Sequence, residues 1–221
     1  MSTVAPDAGA TGAADGSISP VVASIFNTLM QGIHEGRLRP GERISDGALA
    51  EEFKVSRTPV REAIQQLRNL GLIEASASRY TRVATVTPEQ TEQAFVVWTA
   101  LYGVLLDEVA DRVPADIRRA MAKDHETFVA QLPTLDYPAI AAANFAYFGR
   151  LLPLSTNPIL IDGIMRVVHL IRLGSLDLPQ AIDMVALGEA QKLMVDALES
   201  GDRRLARQAL DSIRAIDIPQ E

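Results

Sequence analysis

The chain has 221 residues, a formal net charge of −7, 48% hydrophobic residues and 22% charged residues, enough apolar material for one large or two small folded units. That composition excludes bulk disorder, and the lack of any cysteine excludes disulfide scaffolds, thiolate nucleophiles and cysteine-bound metal. The longest apolar stretches, such as Ala94–Ala100 and Val167–Leu173, fall short of the roughly 18 residues a spanning helix needs, so a soluble, cytoplasmic protein with no membrane partner is expected.

Residues 1–17 are rich in Ala, Gly, Ser and Thr and carry no Lys or Arg. They lack the basic start and apolar run of an export signal and read as a disordered tail. Val21, Ile25, Leu29 and Ile33, spaced four apart, predict a helix over Pro20–Glu35. Arg39-Pro40-Gly41 breaks the chain, and Glu42–Ser45 is a short strand candidate. Asp46 is the expected cap of a two-turn helix that turns Leu49, Ala50 and Phe53 inward. After the tight turn at Lys54-Val55, Ser56 caps a third helix, Arg57–Asn69, which Gly71 ends as a left-handed residue. Leu72–Ala75 and Thr81–Val86 read as two strands around the polar loop Ser76–Tyr80.

From Thr87 onward the pattern changes to long helices with few breaks. Thr87-Pro88-Glu89-Gln90 combines a threonine cap, proline at the first helical position and Gln90 three residues after the cap. Helices follow near 88–112, 114–131, 136–152, 158–176, 179–200 and 202–216, with Pro114, Pro133, Pro153, Pro158, Pro179 and Gly201 at the joints. The expected organisation is therefore a tail (1–17), a winged helix-turn-helix (18–86) and an all-helical unit (87–221). The fold class is mainly α, with one small β-hairpin.

Charge changes sign at the same boundary. Residues 36–86 hold nine basic and six acidic side chains, while the flanking segments are both acidic. A basic module inside an acidic chain has the form of a footprint for a polyanion, although so small a surplus also fits an ordinary solvated surface. The third helix sharpens the pattern. It sets Val60, Ala63, Ile64, Leu67 and Leu70 on one face and Arg57, Thr58, Arg61, Gln65 and Arg68 on another. An N-terminal turn with two arginines and hydroxyl residues suits the DNA major groove: its free N–H groups and positive dipole end favour phosphate, and arginine can donate two hydrogen bonds to guanine. From pattern alone, an amphipathic surface helix with solvated arginines stands equally open.

The run Gly36-Arg37-Leu38-Arg39-Pro40-Gly41-Glu42-Arg43-Ile44, then Leu49-Ala50-Glu51, then Val55-Ser56-Arg57-Thr58-Pro59-Val60-Arg61-Glu62-Ala63-Ile64, with Leu67 and Gly71-Leu72-Ile73, closely resembles the N-terminal domain of the GntR family of bacterial transcription regulators. The resemblance covers roughly Ile18–Val86 and joins many positions. It implies that Ser56, Arg57, Thr58 and Arg61 contact operator DNA, the arginines at guanine edges and the hydroxyls at phosphate. Lys54 and Arg43 are phosphate candidates by charge, and Arg79 and Arg82 lie on the wing. The chain departs from the family at Gly47, where some members carry arginine, and at the wing tip, where Ala77-Ser78-Arg79-Tyr80 stands in place of glycine, sometimes preceded by histidine.

The helical half resembles the FCD effector domain of the FadR-like subfamily through Asn157-Pro158-Ile159-Leu160, Ala197-Leu198, Gly201-Asp202 and helix number. That resemblance implies a cavity for a small acid or acyl effector, homodimer contacts and, in many members, a divalent metal held by an aspartate and three histidines. Those four positions fall on Phe145, Gly149, Gln191 and Ile213, so no cofactor or metal is expected. His34, His125 and His169 lie on three different helices without ligand-like spacing and read as structural. Asn144, Arg150, Arg172, His169 and Gln191, with Arg166, are effector-site candidates, because a buried arginine needs an anionic partner. The competing reading makes the arginines surface groups paired with acids such as Asp162.

The expected function is a dimeric operator-binding regulator of double-stranded DNA, modulated by a small, carboxylate effector and located in the bacterial cytoplasm at the nucleoid. The alternatives are a helical interaction scaffold without effector and a small-molecule enzyme. The enzyme lacks a cysteine nucleophile, a Gly-rich phosphate loop or a His-x3-His pair, and the adjacent carboxylates Asp107 and Glu108 point apart on a helix.

Overall fold

The computed structural model describes residues 19–76 and 80–220. The expected tail (1–17) and Arg79 at the wing tip lie outside the described residues. The described elements are α1 (Pro20–His34), α2 (Asp46–Glu52), α3 (Arg57–Asn69), β1 (Ile73–Ser76), β2 (Tyr80–Val83), α4 (Pro88–Val109), α5 (Ala115–Gln131), α6 (Tyr137–Gly149), α7 (Pro158–Gly174), α8 (Met184–Ser200) and α9 (Arg203–Arg214).

Two hydrophobic cores organise the chain. In the first, Val22, Ile25, Leu29 and Ile33 of α1 meet Val60, Ala63, Ile64 and Leu67 of α3, closed by Leu72, Ile73 and Val83 of the hairpin. The apolar face expected of α3 is the buried one, and Arg57, Thr58, Arg61, Gln65 and Arg68 are exposed. Gly71, at φ 77°, ends α3: its N–H donates to the Arg68 carbonyl and the Leu72 N–H to the Leu67 carbonyl, a pairing that anchors the first wing strand to the core. The wing pairs antiparallel, Ile73 opposite Val83 and Ser76 opposite Tyr80. The expected third strand shrinks to a single bridge, Arg43 with Arg82, although the Ile44 N–H still donates to the Thr81 carbonyl and the Val83 N–H to the Glu42 carbonyl.

The second core is helical. α8 packs on α9 and α5, α4 on α7 and α9, and α5 on α6. Fully buried Tyr102, Leu105, Met121, Phe128, Tyr147 and Leu151 form its centre. The Thr87 cap forms both halves of its box: the Gln90 N–H donates to Thr87 Oγ1, and the Thr87 N–H donates to Gln90 Oε1.

Local expectations fail where a neighbouring residue competes for the same role. Ser45, not Asp46, caps α2, its Oγ accepting from the Ala48 N–H; Asp46 is turned instead toward Arg61. α8 begins at Met184 rather than near 179, because the Asp183 carboxylate accepts from the Ala186 N–H and starts the helix there. α6 stops at Gly149, and Leu152–Leu154 forms a separate 3-10 turn containing Pro153.

One helix belongs to both cores. Leu173 of α7 is buried in the N-terminal core and Leu170 packs against it, while Ile164 of the same helix is buried in the second core. The Arg166 guanidinium donates to the Asn69 carbonyl at the end of α3. None of the described helices is long and apolar enough to cross a membrane.

Candidate nucleic-acid interface and effector cavity

The N-terminal turn of α3 is built to present rather than to pack. Ser56 occupies the cap position, as expected, and is exposed, but its hydroxyl makes no capping bond, leaving the first N–H groups of the helix without a side-chain partner from the cap. Arg57 and Thr58 are exposed beside it. Arg61 is held by its Nε, which donates to Asp46 Oδ2 at 2.7 Å, and this bond pulls the Asp46 carboxyl below its usual range. The pairing orients the fork of Arg61 from the preceding helix, a device without a local signal because the two residues are fifteen apart. Gly47 lies against Arg57: a Cβ at that position would stand 3.2 Å from Arg57 Nη2. An arginine there, as some family members have, would compete for the space Arg57 uses.

Lys54 holds the turn between α2 and α3 at φ 55°, and both Lys54 and Arg43 are exposed. Arg82 is occupied on the wing, paired with Glu74 and lying over the Tyr80 ring at 4.5 Å. Ser56, Arg57, Thr58 and Arg61 are thus exposed at the start of α3, with Lys54 in the turn before it and Arg43 at the bridge beside the wing.

The helical half, with His34 of α1, lines a cavity of about 700 Å³. Its walls are mostly apolar, with an aromatic cluster along one side. Trp98 stacks on Tyr102 at 4.9 Å between ring centroids, and Phe148 meets both edge-on at 5.0 and 5.4 Å. Two of the expected effector residues, Asn144 and Arg172, line this space. Arg172 lies over the Phe145 ring at 4.6 Å. Burial lowers its pKa to about 10, with Glu35 opposing the shift.

The other four candidates are placed elsewhere, Arg166 on the Asn69 carbonyl at the end of α3. Arg150 does not line the cavity: it is exposed and clamped by Asp124 through two hydrogen bonds of 2.6 and 3.0 Å, a surface ion pair. Gln191 is fully buried behind the wall: its Nε2 donates to Asn144 Oδ1 at 2.8 Å, its Oε1 lies 3.3 Å from His125 Nδ1, and its carbonyl accepts from the Tyr147 hydroxyl. His169 is buried but is not a lining residue.

Two histidines expected to stand apart come together. His169 Nδ1 of α7 lies 3.3 Å from His34 Nε2 of α1, with the rings stacked at 5.3 Å, and His34 also lines the cavity. Separation along the chain by 135 residues hid this pair from the sequence. Burial first, then the nearby Arg172 charge, and for His34 also His169, push the pKa values down to about 3 for His34 and about 4 for His169. Both rings are thus neutral in the fold and ionise near 6.5 when unfolded. Stability is complete above about pH 6.5 and falls as pH drops toward 4, where only the unfolded chain takes up these protons. We expect a slope on the order of 1 kcal/mol per pH unit between pH 6.5 and 5 after allowing for solvent access to His34. Urea titrations should show it, and the double variant His34→Gln/His169→Gln should flatten it; an unchanged slope would contradict the assignment.

The family positions for metal ligands do not fit a metal. Phe145, Gly149 and Ile213 line the cavity without a donor side chain, and Gln191 is committed to His125 and Asn144. Among the described residues no group of three or more His, Cys, Asp or Glu side chains is arranged to hold an ion.

A basic, outward-facing helix-turn-helix fused through a shared helix to a hollow helical bundle defines the class of a DNA-binding transcription regulator. Residues 22–83 match the bacterial regulatory proteins of the gntR family and residues 93–215 match the FCD domain, so the chain belongs to the GntR family with an FCD C-terminal domain. It is 29% identical over 210 residues to the probable D-xylose utilization operon transcriptional repressor of Paenarthrobacter nicotinovorans, covering 90% of this chain and 88% of that protein. It is also 28% identical over 108 residues to the HTH-type regulator YdhC of Bacillus subtilis, 49% of this chain and 48% of that one. The fold is shared with McbR/YncC of E. coli (TM-score 0.75, 22% identity, 89% of this chain and 94% of that one). It is shared also with a putative GntR regulator from Rhodococcus sp. RHA1 (TM-score 0.74, 19% identity, 88% and 93%). The enzyme alternative is set aside on the same ground: the matched family and relatives are transcriptional regulators.

Proposed function

We propose that the chain is an effector-responsive operator binder in which residues 18–86 read DNA and residues 87–221 sense a small molecule and dimerise. Ser56, Arg57, Thr58 and Arg61 enter the major groove, with Lys54 and Arg43 on phosphates. The observation that carries this reading is α7: Met165, Val168 and Arg172 form cavity wall, while Leu170, Leu173 and Arg166 of the same helix hold the reader. An occupant that displaces one side of α7 acts on the other, provided it binds the two arrangements with different affinity.

A homodimer follows from the geometry of reading paired half-sites about one helical turn apart. The effector is bound without metal, since the donor set described above offers no ligand cluster. The protein acts in the bacterial cytoplasm, on the nucleoid.

The test is a mobility shift with the protein's own promoter DNA at two salt concentrations, repeated across a metabolite panel screened by thermal shift, with elemental analysis of the same sample. Salt-sensitive retardation that one metabolite changes, from a metal-free dimer, is the expected result. A folded protein that binds the DNA but responds to no metabolite would favour the scaffold reading.

A further inference from the structure

The effector reading leaves the chemistry of the ligand open, and the cavity wall narrows it. Most polar groups on that wall are already satisfied by the protein. The Tyr102 hydroxyl donates to the Phe148 carbonyl at 3.0 Å, Thr91 donates to the Thr87 carbonyl and Ser175 to the Ile171 carbonyl. What they expose to a ligand is largely hydrocarbon, continuous with Trp98, Phe128, Phe148 and Ile164. A polyhydroxylated molecule would strip water from many hydroxyls and meet few partners for them.

Against this background one charged group stands alone. Arg172 is the sole Lys or Arg on the cavity wall, and no Asp or Glu lines it among the described residues. Among the described residues its guanidinium forms no ion pair or hydrogen bond, while Glu35, the carboxylate acting on it from the C-cap of α1, is engaged by Gln31 at one oxygen and Arg37 at the other, both at 2.7 Å. A half-buried cation without a bonded carboxylate is costly, and a ligand anion offsets that cost. Asn144 Nδ2 adds a donor further along the wall, its Oδ1 being taken by Gln191.

Position supplies the second half of the inference. His34 is contributed by the reader's first helix, lines the same cavity and contacts α7 through His169. The polar end of the cavity therefore lies at the seam where α1 meets α7.

We infer, resting on the effector reading above, that the cavity takes an organic monoanion with a predominantly apolar body, its head at Arg172 and beside His34 on the domain seam. One wall cation with no wall carboxylate selects a single negative charge over a dianion. The apolar body fills the aromatic end. Contact with His34 makes the affinity depend on how α1 sits against α7, so ligand and operator influence each other by the same factor.

The experiment uses full-length protein and straight-chain monocarboxylates of four to twelve carbons, with 4-phenylbutyrate, each beside its primary amide; matched dicarboxylates and D-xylose complete the panel. Binding is read by calorimetry and thermal shift, coupling by promoter-DNA anisotropy. The best acid should bind at least tenfold more tightly than its amide and than the dicarboxylate. Arg172→Met and Arg172→Gln should each bring the acid down to the amide's affinity without changing the amide's own. His34→Asn should move the ratio of operator affinities with and without acid toward one. The inference is overturned if acid and amide bind alike, if both Arg172 variants keep the preference, or if the dianion or sugar binds best; in those cases the effector reading survives. Silence across the whole panel from a folded, DNA-binding protein overturns both.

Discussion

Replacing Arg57 or Arg61 by alanine is expected to weaken operator binding by about 1–3 kcal/mol each, roughly 5- to 150-fold, and to relax sequence preference. Both side chains are exposed, with Val60, Ala63, Ile64 and Leu67 holding α3 from behind, so the fold should survive and circular dichroism should be unchanged. The two losses differ in kind. Arg61 is oriented by Asp46, and its removal also leaves that carboxylate without its partner on the DNA-facing side, adding repulsion from phosphate. Arg57 makes no such hydrogen bond among the described residues and acts on Asp46 only through its charge, so its loss should be the simpler one. Lys54→Ala, by contrast, should weaken all sequences equally and reduce the salt slope by about one. Anisotropy titrations on promoter and scrambled DNA separate these outcomes. Unchanged affinity for both DNAs in the Arg57→Ala/Arg61→Ala double variant would refute the interface.

The second large effect is expected at Gly174, where two ordinary trends oppose each other. Alanine is favoured over glycine in a helix interior by about 1 kcal/mol and by less at a last helical residue such as Gly174, a trend that alone predicts a more stable protein. A Cβ on Gly174, however, would stand 2.0 Å from Thr91 Oγ1 and 3.1 Å from both Thr91 Cβ and Val86 Cγ1. Thr91 is buried, its hydroxyl donates to the Thr87 carbonyl, and rotating its side chain leaves the Cβ contact in place. The clash wins: Gly174→Ala should destabilise by roughly 1–3 kcal/mol, because α7 must move away from α4. Adding Thr91→Ala should restore part of this, since the oxygen is removed but the Cβ and Val86 contacts remain. Urea denaturation of the four proteins reads the coupling. A Gly174→Ala protein more stable than the parent would disprove the packing described for this joint.

How well an element could be read depended on how far its determinants lie along the chain. α3 was legible nearly to the residue, because its apolar face, its arginine face and Gly71 repeat within a few turns. The Thr87 box was legible for the same reason. Competition between adjacent candidates was not: Ser45 and Asp46 both cap well, and only the pull of Arg61 on Asp46 assigns the roles. The site was read unevenly. Ser56, Arg57, Thr58 and Arg61 follow from the resemblance and are presented together, whereas Arg150 was misplaced because nothing near it in sequence announces Asp124, 26 residues away.

The amino-acid order by itself determined the helical periods, the Thr87 capping box, the end of α3 at Gly71 and the basic face of α3, all of which arise from interactions between residues a few positions apart, and with them the family. Tertiary structure alone decided which polar groups meet across the domains. His34 finds His169, Arg166 finds Asn69 and Arg172 finds a cavity wall without a carboxylate, because α7 packs against both cores at once. Contacts closed over such long loops leave no periodic trace in the chain, and their formation depends on the summed burial of two cores rather than on any local preference.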